Sequence, residues 1–256
     1  MEKIKYNIAD LFDLNVPRSV TVTGFDEAAQ FVPLHTYDPD FFFCKDLLRD
    51  VLAWWELAQR GEGLFLTGPT GSGKSSLILQ IAARLNWPCH QVTARARMEF
   101  ADLIGRPIIQ SDGSMGFQYG PLYMAYKYGH LFLLDEQDML DPGESVGFNG
   151  IIQGEPLVVP ENGGEVVYPH PDFRFVATGN TIGDGDDGLY LGASRQNIAF
   201  MDRFWAVFVG YMDPESEKVI LKNTTTGLDD EKIEKFIAFA NETRRLHEKD
   251  YLEIPF

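Results

Sequence analysis

Apolar positions in this chain follow two alternating rhythms. From Lys45 to Arg60 they recur at helical spacing, with Leu48, Val51, Leu52, Trp55 and Ala58 on one stripe. The next block, GLFLTGP, is short, continuous and ends in glycine, as a buried strand does; SSLILQIAARLNW then returns to a helical pattern. CHQVTAR, HLFLLDE, FRFVATGN and FWAVFVGY are further strand candidates, separated by longer segments. Continuous apolar strands alternating with helices predict a parallel sheet covered on both faces.

Two insertions break the alternation. GRPIIQSDGSMGFQYGP (105–121) carries Asp112-Gly113 between strand-like arms, and PLVVPENGGEVVYPHP (156–171) carries Asn162-Gly163-Gly164 between PLVVP and EVVYP. Both predict β-hairpins. Residues 1–41 contain Pro17, Pro33 and Pro39 with little periodicity, and are expected to be an extended segment with at most a short first helix. The tail, 213–256, has one clear amphipathic stripe, Ile233, Phe236, Ile237 and Ala240, and reads as a partial helical lid on a core spanning 42–212.

Composition narrows the function classes. Thirty-eight acidic against 22 basic residues give a net charge of −16, which repels phosphate backbones and argues against nucleic acid as a partner. No run approaches the ~20 apolar residues needed to span a bilayer, and MEKIKYNIAD lacks an apolar signal region, so a cytoplasmic protein without membrane association is expected. Cys44 and Cys89 have neither metal-ligand spacing nor a disulfide framework, and are expected to be reduced thiols in packing roles.

The chemistry begins at GPTGSGKS, which fits G-x-x-x-x-G-K-[ST] between a strand and a helix. Gly68, Pro69, Thr70, Gly71, Ser72, Gly73, Lys74, Ser75 and Ser76 form the candidate nucleotide-binding loop, whose backbone N–H groups converge on phosphate at a helix N-terminus. Lys74 is placed to reach the β- and γ-phosphates of ATP, and Ser75 to offer its hydroxyl to Mg²⁺. HLFLLDE ends in Asp135, a second candidate Mg²⁺ ligand, and Glu136, a candidate base for the attacking water. FRFVATGNT ends at Asn180, whose amide can hold the lytic water or a γ-phosphate oxygen. In FMDRFW, Arg203 stands where the chain turns apolar, and could simply complement a helix end and pair with Asp202. TIGDGDDGLYLGASRQN holds Asp184, Asp186 and Asp187 without the spacing or closing Glu of a calcium loop; a flexible acidic interface loop is expected, with Arg195 as an interface cation.

In this order the phosphate loop (Walker A), the Asp-Glu strand end (Walker B), the strand-end Asn and the downstream Arg resemble the AAA+ ATPases. The hairpins, one before Walker B and one before the Asn180 strand, look like those of the helix-2-insert and pre-sensor-1 clade. Within it the chain is similar to the MoxR group and the CobS-like ATPase subunits of cobaltochelatase, through IAARLNWPC, VPLHTYDPDF and YPHPDFRFVATGNTIGDGDDGLYLGASRQNIAFMDRFW. The resemblance implies an α/β P-loop fold with a short C-terminal helical lid, and Mg²⁺-dependent ATP hydrolysis by Lys74, Glu136, Asn180 and Arg203. It casts Arg203 as an arginine finger presented to a neighbour's γ-phosphate, hence a homo-oligomeric ring, expected to be a hexamer. It further implies a partner with a von Willebrand factor A domain, remodelling of that partner or its client, and cobalt insertion into a corrin ring as one output. Relatives also carry a sensor-2 arginine in a longer lid; none can be placed here, since Arg244 and Arg245 stand too early on their helix. Two other readings stay open: a nucleic-acid-associated NTPase motor of a restriction-type system, and a nucleotide-gated module that binds without hydrolysis.

Overall fold

The computed structural model describes residues 1–58, 61–183, 185, 193–225, 227–247 and 249. All five strand candidates form, and they assemble into one parallel sheet: β1 (Gly63–Thr67), β2 (Cys89–Thr93), β3 (Leu131–Asp135), β4 (Arg174–Gly179) and β5 (Phe204–Phe208), in the spatial order β5-β1-β4-β3-β2. Leu64 pairs with Val176 and Thr67 with Gly179 between β1 and β4, which brings the carboxyl ends of these central strands level.

Period-two alternation sends successive side chains of each strand into different cores. On one face Leu64, Leu66, Leu131, Leu133 and Val176 pack with helix α1 (Lys45–Leu57) and helix α2 (Lys74–Arg84) around Trp54, Trp55 and Trp87. On the other, Phe65, Phe132, Leu134, Phe175 and Ala177 meet helix α3 (Pro121–Tyr128) and the short helix Phe148–Gln153. Both faces of the three central strands β1, β3 and β4 are covered, so these strands read as continuous apolar runs. Each fully buried large side chain contributes about 1.5–3 kcal/mol relative to exposure.

Gly105–Ile109 pairs antiparallel with Met115–Tyr119, and Leu157–Val159 with Glu165–Val167, as their turn residues predict. The two hairpins touch: the Tyr119 hydroxyl donates to Glu165 at 3.2 Å and accepts from Asn162 Nδ2 at 3.2 Å, while Tyr123 of α3 stacks on Tyr119 at 4.1 Å and also donates to Glu165.

Three expectations need correction. The N-terminal segment is not merely extended: Lys3–Asn7 and Thr21–Phe25 form an antiparallel ribbon around the helix Ile8–Phe12. Phe25 N–H donates to the Leu85 carbonyl at 2.8 Å, so the ribbon gains its support from the core, a long-range contact invisible in local periodicity. The tail has two helices, α4 (Pro214–Thr224) and α5 (Asp230–His247). Asp213 caps α4 by accepting from the Glu215 and Ser216 N–H groups, a start signal present in DPES. Of the α5 stripe, Ile233 and Ile237 are buried while Phe236 is 56% exposed. Finally, β5 is not covered on both faces as the apolar strand runs predict. It lies at the sheet edge, with Phe208 69% and Trp205 37% exposed.

Candidate functional site

The loop from Gly68 to Gly73 joins the carboxyl end of β1 to the first turn of α2. Gly68 has φ +149°, and a Cβ there would lie 2.1 Å from the Val209 carbonyl oxygen, so only glycine lets the loop leave the sheet. Gly73, at φ +87°, caps α2 in the left-handed region and turns the following N–H groups into the loop. Ser72 Oγ is buried in this loop without a hydrogen-bond partner among the described residues, an orphaned donor that a phosphate oxygen would satisfy.

Lys74 is buried, and its Nζ donates to the carbonyls of Gly68 (2.7 Å) and Pro69 (2.9 Å) and to Asn180 Oδ1 (3.0 Å). Burial lowers its pKa from the ordinary lysine value, while the carboxylates of Asp138, Asp135 and Glu136 pull the other way. Ser75 Oγ donates to Asp135 Oδ1, which also accepts from Thr178 Oγ1. Gln91 Nε2 holds the second Asp135 oxygen at 3.2 Å. A serine hydroxyl beside a carboxylate is a hard-oxygen pair of the kind Mg²⁺ selects, so the donor set fits that ion.

Glu136 is exposed and sits at φ +55°, ψ +43°, a left-handed conformation that costs a non-glycine residue about 1–2 kcal/mol. Its N–H donates to Thr178 Oγ1 at 3.1 Å, which holds this turn against β4. Lys74, Ser75, Asp135, Glu136 and Asn180 thus line one cavity of about 280 Å³ at the carboxyl edge of the sheet, with Thr70, Gly71, Gly73, Ser76, Thr178 and Gly179.

A larger cleft of about 780 Å³ adjoins it through Gly71, Gly73 and Ser76. Its walls are mostly apolar: Phe41, Phe42 and Leu47 on one side, Tyr211, Met212, Ile220, Leu221 and Phe236 on the other. Arg244 lines this cleft too, pairs with Glu217 at 2.5 Å and lies 4.2 Å from the Tyr211 ring centre. Cys89 is a buried packing thiol with its pKa pushed up to about 12, whereas Cys44 is exposed and lines the cleft rather than filling a packing role.

Arg203 stands apart from this cavity. Its carbonyl accepts from Gly63 N–H at the amino end of β1, and five residues of extended backbone, about 17 Å, separate Gly63 from Gly68. Its Nη1 donates to the Ala199 carbonyl, and Nε has no partner among the described residues. Arg195 is exposed. Asp184, Asp186 and Asp187 lie outside the described residues. Among the described residues no cluster of three or more His, Cys, Asp or Glu side chains is disposed to hold a metal ion, and no helix is long and apolar enough to cross a membrane.

Sequence reasoning missed Thr178, Asp138 and the apolar cleft. Thr178 was legible as the only hydroxyl residue within the FRFVATG run facing the Walker B strand, and Asp138 as the second acid of DEQD; the cleft arises from segments distant in the chain.

The chain matches the AAA domain (dynein-related subfamily) over residues 63–204. It is 30% identical over 262 residues to the aerobic cobaltochelatase subunit CobS of Sinorhizobium sp, covering 95% of this chain and 77% of that protein. It is also 29% identical to an uncharacterized protein of Staphylococcus aureus (strain NCTC 8325 / PS 47), covering 72% of this chain and 69% of the relative. A crystal structure of an ATPase candidate from Cytophaga hutchinsonii ATCC 33406 shares the fold at a TM-score of 0.54 and 17% identity, covering 77% of this chain and 58% of that one. The parallel sheet flanked by helices, the glycine loop at its carboxyl edge and the family match converge: this chain belongs to the AAA family, in its dynein-related subfamily, and is a homologue of CobS.

Proposed function

We propose that the protein is a Mg²⁺-dependent ATPase that works as a homo-oligomeric ring, a hexamer in this reading, and remodels a partner protein. One observation carries the proposal: Lys74, Ser75, Asp135, Glu136 and Asn180, from three strand ends, line a single cavity. The γ-phosphate is read as taking over the Lys74 ammonium from the Gly68 and Pro69 carbonyls, with the Gly68–Ser76 loop enclosing the β-phosphate. Ser75 and Asp135 are the residues that would hold Mg²⁺, which would neutralise charge on the phosphate groups. Glu136 takes the proton of the attacking water, and Asn180 orients that water against the phosphorus. The apolar cleft beside the loop receives the base.

Arg203 serves a neighbouring subunit in this reading. Its distance from its own phosphate loop and the exposed apolar edge formed by Trp205 and Phe208 both support a second copy packing there. Arginine in that role is worth ~10³–10⁵ in rate. Similarity to a protein named as a cobaltochelatase subunit supports assembly with other subunits in a cobaltochelatase-like complex; a cytoplasmic location and a partner carrying a von Willebrand factor A domain are part of the same proposal.

The test is steady-state phosphate release by the purified protein, with and without Mg²⁺, across a range of protein concentrations. Turnover that needs Mg²⁺ and rises faster than protein concentration is expected. Tight ATP binding without turnover at any concentration would replace the ATPase with a nucleotide-gated binding module, and strong stimulation by DNA would favour a nucleic-acid motor.

A further inference from the structure

Asp138 is a buried carboxylate, 1% exposed, that ties together three segments of the site. Its Oδ2 accepts two backbone N–H groups, from Asn180 at 2.7 Å and Thr181 at 3.1 Å. Its own carbonyl accepts from Ser194 N–H at 2.7 Å, on the segment that leads to Arg203. Its second carboxylate oxygen has no hydrogen-bond partner among the described residues. One side-chain oxygen that accepts both N–H groups holds the two consecutive peptide groups on either side of the Asn180 Cα, and so the backbone from which the Asn180 amide projects.

We propose that Asp138 is a positioning residue for ATP hydrolysis: by clamping the Asn180–Thr181 backbone to the turn that carries Glu136, it sets the Asn180 amide against Lys74 and the γ-phosphate. Two facts join the clamp to the chemistry. Asn180 Oδ1 lies 3.0 Å from Lys74 Nζ, and Glu136 is only two residues from Asp138, in a strained left-handed turn. Without the clamp the peptide at 180 is free to rotate, and the Asn180 amide leaves its place although every group that binds ATP remains.

The inference rests on the ATPase reading, so its test has one arm that does not need turnover. Amide hydrogen exchange at Asn180 and Thr181 is expected to be slow in the wild type and in Asp138→Asn, which keeps an acceptor oxygen, and fast in Asp138→Ala. In turnover, Asp138→Ala is expected to lose kcat by about 10- to 100-fold with KM nearly unchanged, and Asp138→Asn to stay within about threefold of wild type. Adding Asp138→Ala to Asn180→Ala should cost nothing further, because the clamp acts through that side chain. Unchanged exchange at 180 and 181, an additive double variant, or an Asp138→Asn variant no better than Asp138→Ala would each overturn the proposal. A wild type without turnover would sink the ATPase reading, and the exchange arm would then judge the clamp alone.

Discussion

Lys74 Nζ and Asn180 Oδ1 lie 3.0 Å apart although 106 positions separate them in the chain. The contact bridges the phosphate loop and the end of β4, and it exists because β1 and β4 are paired neighbours with Thr67 level with Gly179. It gives the buried ammonium a partner it can exchange for phosphate, and it fixes which edge of the sheet is used.

Lys74→Ala is expected to lose nucleotide binding, because the β- and γ-phosphates lose a cation whose charge-assisted bonds are worth about 1.5–3 kcal/mol each. Glu136→Gln should bind ATP normally yet hydrolyse it about 10²–10⁴-fold more slowly, since only the base is removed. Calorimetric titration beside phosphate release separates the two; equal binding defects in both variants would contradict these roles.

Arg203→Ala is expected to fold and to bind ATP as the wild type does, with hydrolysis reduced by a factor of about 10² or more. Mixing it with Lys74→Ala subunits should restore part of the activity, because some boundaries then join an intact phosphate site to an intact finger. No recovery in rings shown to contain both variants would return Arg203 to a helix-end role.

Gly68→Ala is expected to destabilise the fold by roughly 1–3 kcal/mol through the clash with the Val209 carbonyl. Gly71→Ala, at φ +79° with nothing within 4 Å of its added Cβ, meets only left-handed strain of about 1 kcal/mol. Thermal melting of both variants checks the order. A Gly71→Ala variant that melts lower than Gly68→Ala would show that the loop, rather than the sheet edge, sets the constraint.

His90 and His130 stack with Nε2 and Nδ1 3.0 Å apart, beside Phe31. Burial, with His130 acting on His90 and His170 on His130, lowers both pKa values from 6.5 to about 4. The unfolded chain therefore takes up protons that the folded chain refuses. The pair's contribution to stability is complete above pH 6.5 and is lost as pH falls toward 4. Denaturant unfolding at pH 7.5, 6 and 5 should show this decline, and His90→Phe should flatten it. Equal slopes in both proteins would show that other groups carry the acid sensitivity.

Local pattern made much of this molecule legible. Five strands, both hairpins and α1 follow from short-range periodicity and turn chemistry, since a buried parallel strand must be apolar throughout and a hairpin needs residues that tolerate positive φ. The phosphate loop, Asp135, Glu136 and Asn180 were legible for a related reason. Ligands of an open parallel sheet gather at the carboxyl ends of its strands, so a polar residue closing an apolar run already declares its edge.

Other features depended on which strands became neighbours. The run FWAVFVGY is as apolar as the central strands, but among the described residues β5 pairs on one side only, and Trp205 and Phe208 are left exposed. Arg203 is distant from its own phosphate loop because β5 runs parallel to β1, with Arg203 at the amino end of the pair and the loop at the carboxyl end. The Asp138 clamp needs β3 and β4 side by side, and the apolar cleft needs the tail helices folded back over residues 41–47. Sequence determined the chemical groups and the elements bearing them, because those depend on neighbours within a few residues. Tertiary structure decided which groups meet, because side chains far apart in the chain are brought within hydrogen-bond reach only when the strands that carry them pair.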